Sequence, residues 1–273
     1  MKKIIILLVI FSTCVIHAQR KPKIKGNKNV IEVQESLPAF NAVELRDDLE
    51  ITLRNSTEEG YDITADDNLI DVLKFSVEDS TLVISSFYNI TGKKKLEITV
   101  NYTYLNEITL YDGRVRMEGV IAVDELYVNT YESSKLELNA DAQFISINME
   151  GNSSGDFNLN GKEMNFVFKD RIDVKIYAVS ELNNIKMYKN ASAKMEGTAD
   201  ELHANLFENS NLKGEKLEAD KVFLNAQDSP SADVYARNDF ELTSSGSSKT
   251  YLYGAPKIEI IEFLDTSELH KKK

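Results

Sequence analysis

From about Leu105 onward, apolar and polar side chains alternate in short runs, and the runs recur at a near-constant interval. Ile108 and Leu110, Leu126 and Val128, Ile145 and Ile147, Phe166 and Phe168, Ile185 and Met187, Leu202 with Ala204 and Leu206, Val222 and Leu224, and then Leu242 each point one way along a strand. Side chains two apart share a face of a strand, so these residues form inner columns if successive strands stack. A second marker accompanies them. Small residues, Gly119, Ala140, Gly161, Ala178, Gly197, Ala236 and Gly254, return about once per nineteen residues, each with Met117, Leu138, Leu159, Ile176, Met195, Val234 or Leu252 two places upstream. Strand, corner, strand, corner is the unit this predicts, and a fixed short period is the mark of a solenoid whose units bury their apolar faces on each other.

Turn formers separate the paired strands: Asp112-Gly113, Ser133-Ser134, Asn152 to Gly155, Asn190 to Ser192, Asn209 to Asn211, Asp228 to Ser231 and Gly246 to Ser248. No helical stripe of any length competes in this region. Upstream, Phe40, Val43 and Leu45, Leu49, Ile51 and Leu53, Tyr61 and Ile63, Leu82 and Ile84, and Leu96, Ile98 and Val100 also alternate. Leu69, Ile70 and Leu73 are spaced for a helical turn or two within Asp66 to Phe75. The organisation expected is a signal peptide over 1–18, a mobile basic segment over 19–39, an N-terminal β region over 40–104 capping the solenoid, regular rungs over 105–257, and a capping strand and tail over 258–273.

The leader reading rests on Lys2 and Lys3, the apolar run Ile4 to Phe11, and Ile16-His17-Ala18 ahead of Gln19. A spanning helix needs about 20 apolar residues, more than this run offers. Cys14 is the single cysteine, so cleavage after Ala18 leaves a chain without disulfides. It also removes Lys2 and Lys3, taking the net charge from −12 to −14. So acidic a chain repels phosphate backbones and anionic lipid, which argues against nucleic acid and against direct membrane insertion after cleavage.

Several blocks together resemble a known group. Phe40-Asn41-Ala42-Val43-Glu44-Leu45, Ile63 to Ile70, Leu82-Val83-Ile84, Leu105 to Leu110 and the closing Ser244 to Ser248 with Tyr251 to Pro256 are similar to the head-GIN domain family. The resemblance covers about 40 to 257. It implies an all-β, single-stranded right-handed parallel β-helix in an exported bacterial adhesin-like protein, located in the periplasm, on the outer surface or in the medium. It supplies no catalytic residue. Tyr111-Asp112-Gly113 departs from its usual Ser-Gly-small corner.

Candidate chemistry is sparse. His203 and His270, the histidines left after leader removal, have no partner at metal-ligand spacing, and no cofactor motif is present. Asp112, Asp156, Asp170 and Asp173 fall near one corner, with Asp228 further on, and would bind calcium if they converged. The same corner, around Lys169-Asp170-Arg171-Ile172-Asp173, is the basis for an alternative reading as a polysaccharide lyase or hydrolase. A turn aspartate more commonly bonds its own backbone. Tyr111, Tyr131, Tyr188 and Phe207 each follow a first strand by one position, which places them outward as a ladder for a glycan or a surface protein, or simply stacked for stability. Tyr177, Tyr235 and Tyr253 flank the second corner in the same way. The expectation is a non-enzymatic, adhesin-like or cell-envelope binding or scaffold module.

Overall fold

The computed structural model describes residues 21–273. The leader, its cleavage point and Cys14 lie outside the described residues. The chain is a β-solenoid of about nine turns. Its repeating coil is plainest where single long strands bend through a corner: β13 (Lys135–Met149), β14 (Ser154–Phe168), β15 (Asp173–Met187), β16 (Ser192–Glu208), β17 (Asn211–Asp228) and β18 (Ser231–Ser244) pair in parallel, each with the next. In each of these strands the residues after the turn form one face and the residues beyond the corner form the other. β10 (Glu107–Leu110), β11 (Arg114–Glu118) and β12 (Ile121–Thr130) begin the series, and β19 (Lys249–Gly254), β20 (Lys257–Phe263) and β21 (Glu268–Lys271) end it.

Register explains the interior. Ile108, Val128, Ile147, Phe166, Ile185, Ala204, Leu224, Leu242 and Ile260 occupy one column through nine strands. All but Ile260 are buried. The column from Leu126 through Ile145, Met164, Asn183, Leu202, Val222 and Phe240 to Ile258 runs beside it. Each buried aliphatic side chain contributes roughly 1.5–3 kcal/mol, and the parallel ladder satisfies the backbone between coils.

The small-residue series needs a correction. Leu138 is level with Phe157, not Leu159, and Ala140 is level with Leu159, not Gly161. The ladder holds a separation of nineteen residues from β13 to β15, so Gly161 belongs with Ala142 in a neighbouring column. Small residues recur in both columns, alongside Leu159 and Leu217 in the first, where the backbone bends and successive coils approach closely. At Gly197 φ is +118°, and a Cβ would lie 2.0 Å from the carbonyl oxygen of Ala178. We expect Gly197→Ala to cost about 1–3 kcal/mol in chemical denaturation, because both the conformation and the space exclude a side chain.

The turn between faces carries its own regularity. Gly113, Glu132, Gly151, Asp170, Lys189, Glu208, Asp228, Gly246 and Asp265 all have positive φ, one in each coil. The inner side of this turn is held by hydroxyls: Ser134 Oγ donates to the Tyr131 carbonyl at 2.6 Å and Ser153 Oγ to that of Glu150 at 2.8 Å.

At the N-terminal end, stack order is not chain order. β3 (Ala42–Leu45) and β4 (Glu50–Asn55) form a coil directly beneath β10 and β11; β1 (Lys23–Lys25) and β2 (Val30–Ser36) precede them in the chain. Beyond them lie β7 (Thr81–Ser86) against β3 and β9 (Leu96–Tyr102) against β4, both parallel. The outermost strands turn antiparallel: β6 (Leu73–Glu78) on β7, and β5 (Gly60–Asp66) on β9, with β2 on β5. Among the described residues a single short helix, α1 (Asp67–Ile70), appears where the apolar spacing predicts a helical turn, and β6 follows it directly.

The segment 19–39, expected to be mobile, carries two strands within its described part. β1 pairs with β8 (Asn89–Gly92), and β2 pairs along its whole length with β5. Lys21 is bound to Asp47, and Asn29 Nδ2 donates to Asp67 at 2.8 Å. These partners are 26 and 38 residues away in sequence, so local composition gives no sign of them. At the other end β20 adds a layer but does not cover it: all seven of its residues are exposed, including Ile258, Ile260, Ile261 and Phe263.

Candidate functional site

The interior is packed through its length, so what the protein offers to a partner is its outer surface. The residues flagged along the turn are brought together in part. Tyr111 stacks on Tyr131 with ring centroids 5.2 Å apart and 17° between planes; Tyr188 stacks on Phe207 at 5.0 Å and 10°. Between the two pairs, Glu150 accepts from Lys169 Nζ at 2.7 Å. The column therefore reads aromatic, aromatic, acid, base, aromatic, aromatic. Stacking of this kind contributes about 0.5–1.5 kcal/mol per pair beyond area burial, and it turns ring faces toward each other.

The four aspartates are not brought together. Asp112 sits in the turn between β10 and β11, where its Oδ1 accepts from the backbone N–H of Gly113 at 2.8 Å. Asp170 lies three coils along, roughly 14 Å at the β spacing. It is bound to Lys189, and that hydrogen bond holds its carboxyl below the usual range while raising the lysine. Asp156 and Asp173 project from the face that follows the turn, level with Lys175 and Ser154 respectively. Among the described residues, no group of three or more His, Cys, Asp or Glu side chains is placed to hold a metal ion. Asp228 is another of the positive-φ turn residues. His203 is outward, 4.6 Å from the Phe223 ring and 3.2 Å from Glu201.

Of the depressions on the surface, two are lined by residues singled out from the sequence. The wider, about 960 Å³, lies where β1 and β8 meet the first turns, and Lys21, Asp47, Ser86, Tyr88, Asp112 and Glu132 are among its lining residues. Its polar groups are largely engaged: Lys21 Nζ donates to the Ser86 carbonyl at 2.7 Å, and the Ser86 N–H donates to Asp47 at 2.8 Å. It is a seam between segments. The other, about 220 Å³, lies on the face after the turn, among Asp156, Asn158, Lys175, Tyr177, Lys194 and Glu196. Tyr177 is 51% exposed there. Lys194 is 2.6 Å from Glu196; that bond raises the ammonium and lowers the carboxyl. The alternation that predicts an outward Tyr177 is correct, but its surroundings come from coils nineteen residues to either side.

The comparisons with known proteins agree with this architecture. A family described as putative auto-transporter adhesin, head GIN domain, matches residues 39–171 and again 163–256. A putative adhesin from Parabacteroides merdae ATCC 43184 is 14% identical, with a TM-score of 0.69 over 92% of this chain and 100% of that one. A putative adhesin from Parabacteroides distasonis ATCC 8503 is also 14% identical, at a TM-score of 0.66 over 91% and 99%. A putative lipid binding protein from the same strain reaches 19% identity and a TM-score of 0.62 over 92% and 100%. At these identities the likeness carries the fold alone. No curated protein matches the chain. No helix among the described residues is long and apolar enough to cross a membrane.

Proposed function

The chain belongs to the family of the putative auto-transporter adhesin, head GIN domain, and on that footing we propose that it is an exported, non-enzymatic binding module of the cell envelope. The family itself suggests an exported or surface protein with an adhesin-like role. One observation carries the reading further. Along the regular coils most apolar residues are committed to continuous inner columns, while long outward faces carry polar and aromatic side chains such as the half-exposed Tyr177. A rigid solenoid of this kind presents an extended surface rather than an enclosed reaction chamber, the arrangement repeat proteins use for binding. The enzymatic alternative gains nothing from the corner carboxylates, since Asp112 and Asp170 are coils apart and Asp170 is engaged by Lys189.

The test is direct. The protein lacking residues 1–18 is applied to a glycan array and to immobilised envelope proteins, and in parallel incubated with a polysaccharide panel. We expect retention on at least one surface without new reducing ends. Release of reducing ends would establish the enzyme instead, and retention nowhere would remove the binding reading.

A further inference from the structure

On the face after the turn, Asp156, Lys175, Lys194, Lys213 and Asp233 stand directly opposite one another on five consecutive strands, so three lysines stack without an intervening acid. Like charges directly opposite on neighbouring strands destabilise a sheet. Like charges also meet as pairs on this face, at Arg114 opposite Lys135 and Glu137 opposite Asp156, while other cations are matched with acids. Arg116 sits between Glu50, at 2.6 Å, and Glu137, at 3.6 Å; Arg237 is 2.6 Å from Glu218. In a chain with a net charge of −12 there is no shortage of acids to separate the lysines. Lys194 is paired with Glu196 on its own strand, while Lys175 stands level with Asp156 and Lys213 level with Asp233 at the two ends of the stack.

Tyr177 lies two residues from Lys175 on the same outward face, half exposed, and among the described residues no other aromatic ring stacks on it. It is level with Asn158 on one side and Glu196 on the other. The depression of about 220 Å³ around it is smaller than the clefts that enclose whole small ligands, which run from about 300 Å³. It suits one ring of a longer chain laid along the face.

We propose that Lys175, Lys194, Lys213 and Tyr177 form a binding subsite for an acidic polysaccharide bearing one carboxylate per sugar. The proposal rests on the binding-module reading and deepens it. A pyranose stacks on the Tyr177 ring, and its carboxylate and those of its neighbours meet the lysines. The lysines repeat at about 4.8 Å along the solenoid axis, comparable with the length of one sugar unit in an extended chain. The Asn158 amide is placed to donate to or accept from ring hydroxyls, and the Glu196 carboxylate to accept from them. Double-stranded DNA, with a charge every ≈ 1.7 Å, fits poorly: its dense phosphates are repelled by the acidic remainder of the protein. A uronate polymer is far less densely charged and needs only a local cationic ladder.

The probes are polygalacturonate, the same polymer fully methyl-esterified, neutral dextran, and phosphatidylserine vesicles, measured by calorimetry and surface retention at two salt concentrations. We expect polygalacturonate to bind, more weakly at high salt, with the esterified polymer at least tenfold weaker. The triple variant Lys175→Gln/Lys194→Gln/Lys213→Gln and the single variant Tyr177→Ala should each lose tenfold or more, and Tyr177→Phe should keep the affinity. All four positions lie on the surface, and unchanged circular dichroism with melting no lower than that of the parent protein confirms the fold. Unaltered binding by the triple variant, or none to polygalacturonate, overturns the proposal. If the protein is retained on a neutral glycan or an envelope protein independently of these residues, this subsite fails while the binding-module reading stands. Binding to the vesicles in place of the uronate polymer overturns the choice of polysaccharide.

Discussion

Phe166→Ala should destabilise the protein by about 3–5 kcal/mol, a large part of the whole stability of an ordinary domain. Phe166 is 1% exposed and lies between Ile147 and Ile185 in a column that runs through nine strands. Its ring centroid is 5.9 Å from that of Phe168, which fills the adjacent column. Truncation removes the transfer energy of the ring and leaves a cavity. The backbone above and below is pinned by ladder hydrogen bonds on both edges, so it has little freedom to collapse into the space. Lys162→Ala, four residues back on the exposed corner, should stay within about 0.5 kcal/mol. Urea denaturation followed by circular dichroism compares the two. Equal, small effects would mean that the inner columns do not hold the coils together.

The second large effect has the opposite sign. Asn183→Leu should stabilise the protein by about 1–3 kcal/mol. Asn183 is fully buried, directly level with Met164 and Leu202 in an otherwise apolar column, and neither its amide nitrogen nor its carbonyl oxygen has a hydrogen-bond partner. Leucine has the same number and branching of side-chain heavy atoms, removes two unsatisfied polar atoms, and continues the apolar stack. For a chain of this length that gain corresponds to roughly 2–4 °C in Tm for each kcal/mol. A loss of stability in Asn183→Leu would mean that the amide is satisfied in solution and that the column is not dry there.

These two residues also mark what could be read from the sequence and what could not. Phe166 and its column are legible because alternation identifies the inward face of each strand, and the stack then aligns the inward residues. Asn183 is not, because alternation takes any polar residue between apolar ones as outward; only the register places it level with Met164. The phase error at Leu159 has a related origin. Small residues occupy two adjacent positions at the corner, and choosing one per coil by size gives spacings that wander, whereas the backbone ladder keeps Leu138 level with Phe157.

The turn residues are hidden differently. Positive φ is usually signalled by glycine, yet here Glu132, Asp170, Lys189, Glu208, Asp228 and Asp265 fill most of those positions. Part of their compensation is visible: Lys189 binds Asp170, and its N–H donates to Glu208 at 2.6 Å. The aspartates that suggested a calcium site are thus explained as members of a turn column or of a face, not as a converging set. The lysine ladder was present in the sequence all along at a spacing of nineteen residues. It carries meaning only once neighbouring coils are known to lie level, since three lysines that far apart otherwise suggest nothing.

Whether coils really lie level is measured most directly by distances between spin labels along one outward column. With one label at Ser146 and the second at Phe223, Glu241 or Glu259, the two positions are four, five and six strands apart in the stack. Pulsed electron resonance should give separations near 19, 24 and 29 Å, rising by about 4.8 Å per strand. Distances that fail to grow with each step, or that shorten between Glu241 and Glu259 as the chain doubles back, would contradict a parallel stack of coils.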